Sequence, residues 1–288
     1  MRGDSRSMTV VSPRSAAEAV RALAKNAGAL PLAGGTDLMV GWNMGQLNGR
    51  TVVDLSRVAE WKKISVSKSS VRIGSLVTHS QIQSHPVIRS RFPLLVQACS
   101  VVGAAQIQNR GTLGGNVANA SPAGDTFPPL SVYEAVVHCV GPSGKRAVSI
   151  HEIFAGVKKT SLKPGELIEA IELPFPAAPP SRAVFRKVGT RAAQSISKTM
   201  FAGLLWLKKD GTVADARLAF GSLAPTVKRL RSAERFLTGR RLDAAAAGGA
   251  AALLTDDVSP IDDIRSTRNY RLEVSRNLLV QFLEGRKR

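Results

Sequence analysis

The sequence predicts an α+β protein of two or three units, and three observations carry that reading. Residues 29–55 run strand, glycine turn, helix, strand, the order of a small α/β unit. From Pro174 to Pro180 the chain reads PFPAAPP, and four prolines in seven residues cannot sit inside a sheet or a helix. Beyond that break short strands come first and helical patterns follow, as in a smaller α+β module. At 288 residues and 44% apolar composition the chain is long enough to bury a sizeable core.

Ala16, Ala19, Val20 and Leu23 fall on one helical face behind Ser15, a suitable N-cap, and Gly28 ends that helix. Residues 29–33 form a short buried strand that runs directly into Gly34 and Gly35. Thr36 and Asp37 then cap a helix over residues 38–44, and Thr51 to Leu55 is a second strand. These segments make a first subdomain, residues 1–57. From Ile64 to Ile73 two alternating segments flank a Lys-Ser-Ser turn, which is hairpin chemistry. Thr78 caps a short helix to Ser84, and Pro93 opens an apolar stretch, PLLVQACSVVGAAQIQN, long enough for a helix. Residues 130–139 pass through a helical turn into a strand, and residues 145–150 and 167–173 give two more. This second subdomain spans 58–176. In the last unit, 181–288, strands are predicted at 183–188, 203–207 and 217–220, the last two joined across Lys208-Lys209-Asp210-Gly211. Helices follow at 233–237 and 269–283, with an Ala/Gly tract at 244–252 that is helical only if packed.

The net charge is +19 and is spread along the chain, with 19 Lys and Arg against 11 Asp and Glu in residues 1–175 (+8) and 21 against 10 in 176–288 (+11). No zinc finger, aromatic RNP-like strand or basic heptad helix accompanies it, so no nucleic-acid partner is expected. A basic surface for acidic partner subunits or an anionic ligand accounts for it. Two cysteines, Cys99 and Cys139, without a CxxC pair argue against an iron-sulfur cluster or structural zinc in this chain and suit a reducing compartment. The N-terminus lacks a continuous apolar stretch, and no run reaches the roughly 18 residues of a membrane span. A cytoplasmic, soluble chain is expected.

Two glycine-rich stretches carry the functional reading. The first is PLAGGTDL, residues 31–38, and the second RGTLGGNVANASPAGD, residues 110–125. Each pairs glycines with a threonine, so each can expose backbone N–H groups at a turn and cradle phosphate. Two such cradles suit a ligand with two linked phosphates. The first is also what any glycine turn ending a strand looks like, and it is not a Rossmann fingerprint, since GxGxxG is absent and Asp54 stands alone. In the second, Thr112 and Asn116 add side-chain donors, and Asp125 is an acceptor suited to a hydroxyl-bearing part of a ligand. An ordinary helix N-cap accounts for Asp125 equally well.

AGGTDL at 33–38, RGTLGGNVANASPAGD at 110–125, RLAFGSLAPTVKR at 217–229 and IRSTRNYR at 264–271 resemble the FAD-binding medium subunit of the molybdenum hydroxylases, the xanthine dehydrogenase and carbon monoxide dehydrogenase family. The resemblance covers nearly the whole chain. It implies a two-subdomain FAD-binding domain of the vanillyl-alcohol-oxidase type, residues 1–176, followed by the family's flavoprotein C-terminal domain, residues 181–288. It further implies FAD, with Leu30, Pro31, Leu32, Ala33, Gly34, Gly35, Thr36 and Asp37 holding the pyrophosphate from one side and Gly111, Thr112, Leu113, Gly114 and Gly115 from the other; neither loop offers a His or Cys placed to attach the flavin, so noncovalent binding is expected. Asn116 and Asp125 match contacts to the phosphate and sugar portions, and Ile168 and Lys187 match positions lining the adenine or isoalloxazine end. The partners implied are a small iron-sulfur subunit and a large molybdenum-cofactor subunit, with electrons leaving to NAD or another acceptor.

The segment Lys198 to Phe201 has no match in that pattern, and no residue is tied to a nicotinamide site. No catalytic residue and no metal ligand is expected in this chain, because His79, His85, His138 and His151 are scattered and GxSxG is absent. Arg265, Arg268 and Arg271 are a cluster able to bind an anion, but at the start of a helix they are expected to anchor the C-terminal unit or face a partner. The rival is a stand-alone flavoprotein oxidase or reductase of the same fold, such as UDP-N-acetylenolpyruvoylglucosamine reductase, against which SLAPT and RSTRNYR speak.

Overall fold

The computed structural model describes residues 3–285. The first sheet is parallel: β1 (Thr9–Val11), then α1 (Ala16–Lys25), β2 (Leu30–Leu32), α2 (Leu38–Asn43) and β3 (Thr51–Asp54), with β3 in the centre. Ser15 caps α1 as expected, its side chain accepting the Glu18 N–H. β1 was not expected; three residues are too few to show a period, and pairing with β3 makes them a strand. Ala19, Val53, Leu55, Val58 and Trp61 form the core between these elements.

The second sheet is antiparallel. It takes β4 (Ile64–Val66) and β5 (Ser70–Gly74), then follows a run of short helices: α3 (His79–Ser84), α4 (Pro86–Arg91), α5 (Pro93–Ser100), α6 (Ala105–Arg110), α7 (Leu113–Asn119) and α8 (Phe127–Val132). β6 (Val136–Gly141) and β7 (Gly144–Ser149) form a hairpin, α9 (Ile150–Ile153) leads to the small ribbon of β8 (Phe154–Gly156) and β9 (Lys159–Thr160), and β10 (Leu167–Pro174) returns to the sheet centre in the order β4-β5-β10-β6-β7. Thr78 and Gln81 make a reciprocal capping box at α3. The helix expected from Pro93 breaks after Ser100 and resumes at Ala105, because Gly103 adopts φ +54° between them.

Beyond the prolines, β11 (Arg182–Val188), β12 (Thr199–Leu207), β13 (Val213–Gly221) and the two-residue β14 (Lys228–Arg229) form a four-stranded antiparallel sheet, one strand more than expected. α10 (Arg231–Leu237), α11 (Ala244–Ala252), α12 (Leu254–Asp257) and α13 (Arg268–Glu284) follow. The Ala/Gly tract is helical because Ala246, Ala247, Ala250 and Ala251 are packed. Alternation along β12 and β13 shows how the units join. Phe201, Leu205, Leu218 and Phe220 enter the core under the C-terminal helices, whereas Ala202, Leu204 and Ala219 enter the core of the second sheet and its helices. A sheet buried on both faces explains the unbroken apolar run TMFAGLLWL. Arg229 reinforces the junction, donating to Ser131 O at 3.2 Å and to Glu134 from a buried position. Among the described residues no helix is long and apolar enough to cross a membrane.

Candidate cofactor site

β2 ends at Leu32, and the chain turns through residues 33–37 before α2. Gly35 sits at φ +78°, a left-handed conformation that side chains resist. The backbone N–H groups of Gly34, Gly35 and Thr36 find no acceptor among the described residues. Three successive free donors in a turn make a concave surface that attracts anions. Thr36 and Asp37 do not cap α2 with their side chains as expected. The Asp37 carboxylate instead accepts from Asn119 Nδ2 at 3.1 Å and from Lys158 Nζ at 3.3 Å.

The second loop behaves differently from the expectation of a twin cradle. Thr112 caps α7, its Oγ1 accepting the Gly115 N–H at 3.1 Å, while Leu113 N–H donates to Val77 O and Gly114 N–H to Ser75 O, each at 3.0 Å. These donors hold the fold together. What the glycines of this loop provide is proximity. A Cβ on Gly34 would lie 2.7 Å from the Arg110 carbonyl carbon and 3.0 Å from Gly111 Cα, and one on Gly111 would lie 3.4 Å from Thr36 Oγ1. The loops therefore touch backbone to backbone.

Between them runs a groove of about 380 Å³, within the range of small-ligand sites. All eight residues from Leu30 to Asp37 line it, with Gly111, Thr112, Gly115 and Asn116 opposite. Leu113 and Gly114 do not; Leu113 is buried in the core, and a Cβ on Gly114 would meet Ser75 O at 2.7 Å. Ile168 is a core residue of β10, paired with Cys139 of β6. Asp125 and Lys187 are brought together across the two units. Lys187 Nζ donates to Asp125 Oδ2 at 2.8 Å and to Val101 O at 2.9 Å, with both side chains about 90% buried. Burial pushes the Asp125 carboxyl up to about 6 while the Lys187 ammonium pulls it back down. Asp125 Oδ1 is buried and finds no hydrogen-bond partner among the described residues. Its neighbour Thr126 donates to Asn116 Oδ1 at 2.6 Å, which ties Asp125 to the groove wall.

Residues 6–176 match the family described as the FAD binding domain in molybdopterin dehydrogenase. This chain belongs to that family. Residues 184–285 match the CO dehydrogenase flavoprotein C-terminal domain. The chain is 30% identical over 259 residues to a putative xanthine dehydrogenase FAD-binding subunit of Escherichia coli, covering 90% of this chain and 88% of that one. It is 29% identical over 279 residues to the carbon monoxide dehydrogenase medium chain of Hydrogenophaga pseudoflava, covering 95% of each. A solved carbon monoxide dehydrogenase from Hydrogenophaga pseudoflava superposes on 96% of both chains with a TM-score of 0.91 at 28% identity, and quinoline 2-oxidoreductase from Pseudomonas putida superposes with a TM-score of 0.90 at 27% identity.

The chain is thus an FAD-binding oxidoreductase subunit of the molybdopterin dehydrogenase family, and its groove fits that cofactor on its own chemistry. Free backbone donors face a groove that Gly115 leaves open, as a pyrophosphate requires; Asp125, Ile168 and Lys187 do not line this groove, and Asp125 is linked to it through the Thr126–Asn116 hydrogen bond. Two contributors escaped the sequence reading. His79 lines the groove with its N–H on Gly111 O, and burial holds its imidazole down at about 4, so the ring is neutral. Lys158, at φ +55°, donates to Asn119 Oδ1 at 2.7 Å and so ties the second loop to Asp37. No motif spacing announces either. His138 and His151 pair with Glu172 and Glu134, each at 2.8 Å.

Proposed function

We propose that this chain is the FAD-carrying electron-transfer subunit of a molybdenum hydroxylase complex, working with a small iron-sulfur subunit and a large molybdenum-cofactor subunit. The observation that carries the reading is the meeting of the Gly34–Thr36 donors and the Gly115 face of α7 in one groove. When bound, FAD supplies the redox chemistry, taking electrons from the clusters of the small subunit and yielding them to NAD or another acceptor. The backbone of Gly34, Gly35 and Thr36 holds the pyrophosphate, with Leu30 to Ala33 and Asp37 shaping that side and Gly111, Thr112 and Gly115 closing the other. Asn116 and Asp125 hold the sugar and phosphate portions. Lys187 keeps Asp125 ionised at neutral pH and in place, and Ile168 supports the same wall from β10. The basic surface draws an acidic partner and does so less as salt rises.

The division into residues 1–176 and 181–288 belongs to the same reading, with the proline stretch as connector. Hydroxylation of substrate takes place on the large subunit, and the setting is the cytoplasm. The test is native purification of the complex, followed by flavin, iron and molybdenum analysis of each subunit. Full substrate oxidation by this chain alone, without iron or molybdenum, would replace the reading with a stand-alone flavoenzyme.

A further inference from the structure

The three strands of the first sheet are parallel in the order β1-β3-β2, so the chain crosses the sheet one way through α1 and back the other way through α2. Right-handed crossovers in opposite directions put the two helices on opposite faces. The α1 face is covered, since Ala19 and Val53 share a core with Trp61, Leu76 and Leu167 from further along the chain. The α2 face is bare by comparison. Val10, Val52 and Leu30 are paired in register and therefore share that face. Val52 is buried, but Val10 is 51% exposed. α2 itself buries no residue, and Met39, Val40 and Met44, which follows its last turn, are 38%, 52% and 61% exposed. From Leu38 to Gly49 the chain carries no charged residue. A helix on the outside of a domain ordinarily turns charged and polar residues outward. This one turns out methionine and valine, and such a patch marks a contact surface.

The edge of the patch states the chemistry of what covers it. Residues 7–9 run beside residues 49 and 50, with the Gly49 N–H on Ser7 O and the Thr9 N–H on Arg50 O. Of the carboxylates nearby, Asp4 is paired with Arg6 and Asp37 with Lys158. Arg50 is exposed; it donates to Gly28 O at 3.0 Å and pairs with no carboxylate among the described residues. The edge is thus left positive, and a second copy of this chain would set +19 against +19. We propose that the α2 face is where another subunit of the complex docks, one that presents an apolar surface edged by carboxylates. α2 begins at Leu38, which lines the cofactor groove, so a subunit seated there stands beside the turn that holds the flavin. The inference rests on the reading of the chain as one subunit of a complex.

The test is methionine footprinting with hydrogen peroxide, on the natively purified complex and on this chain alone. Exposed methionines oxidise to the sulfoxide far faster than buried ones, and Met39 and Met44 should react at least about fivefold more slowly in the complex. Met200, fully buried, is the internal reference and should resist in both. Val40→Glu with Met44→Glu, at two exposed positions, should leave the melting temperature of the isolated chain unchanged and cut the iron and molybdenum that copurify with it at least about tenfold. Arg50→Glu should weaken the complex at low salt and less so at high salt. Equal oxidation of Met39 and Met44 in the complex and in the isolated chain, or a folded double variant that assembles as before, would overturn the proposal. So would protection that grows with the concentration of the isolated chain, which would seat a second copy on α2, or an Arg50→Glu chain that assembles unchanged at low salt. Those outcomes leave the functional reading standing. A chain that never copurifies with iron or molybdenum would overturn that reading and the docking site together.

Discussion

Replacing Gly34 with alanine should open the cofactor groove without unfolding the protein. The new Cβ would sit 2.7 Å from the Arg110 carbonyl carbon and 3.0 Å from Gly111 Cα, against about 3.5–4.0 Å for ordinary carbon contacts. Both obstacles are backbone, so the loops must part by about 1 Å, at a cost of about 1–3 kcal/mol for overpacking. A parting of that size pulls the Gly34–Thr36 donors away from hydrogen-bond distance to a shared pyrophosphate. FAD affinity should fall at least about tenfold, the equivalent of about 1.4 kcal/mol. Gly49→Ala is the control, because Gly49 has φ +72° but no atom within 4 Å of an added Cβ. It should cost about 1–2 kcal/mol of stability through the left-handed backbone alone and leave FAD binding intact. Fluorescence titration of the apoprotein with FAD, beside thermal unfolding of both variants, separates the two effects. Unaltered FAD affinity in Gly34→Ala would show that the touching of these loops does not shape the site.

The adjacent glycines should divide in the same way: Gly115→Val should weaken FAD binding with modest loss of stability, since its Cβ faces Thr112 Oγ1 and the groove, whereas Gly114→Val should destabilise the whole domain against Ser75. Equal melting temperatures for the two would refute this. Lys187→Met leaves Asp125 buried without its cation and should cost up to about 3–5 kcal/mol at neutral pH; urea unfolding should show the loss shrinking as Asp125 protonates at lower pH and largely reversed by adding Asp125→Asn. His79 has a folded pKa of about 4 against 6.5 unfolded, so its contribution is complete above pH 6.5 and is lost as pH falls from 6.5 to 4, by up to about 3 kcal/mol. His79→Gln should flatten that part of the stability profile, and an unchanged profile would refute the assignment.

The strand and helix order was largely legible because caps and turns are local chemistry: Ser15, Thr78, and the Lys-Lys-Asp-Gly turn all act within four residues. Two- and three-residue strands were not, since β1 and β14 exist only through distant partners. The groove was legible in outline from its glycines. Their separate roles were not, because whether Gly114 faces a ligand or Ser75 depends on a neighbour 39 positions away. His79, Lys158 and the Asp125–Lys187 pair reach the site only through tertiary packing, and the pair spans 62 positions.

The central claim is that this chain holds FAD on the Gly34–Thr36 turn. It is tested most directly by acid precipitation of the purified chain and quantification of the released flavin, for the unaltered sequence and for Gly34→Ala. One FAD per chain, released into the supernatant and depleted in the variant, is the predicted result. No flavin, flavin retained in the pellet, or equal FAD in both proteins would contradict it.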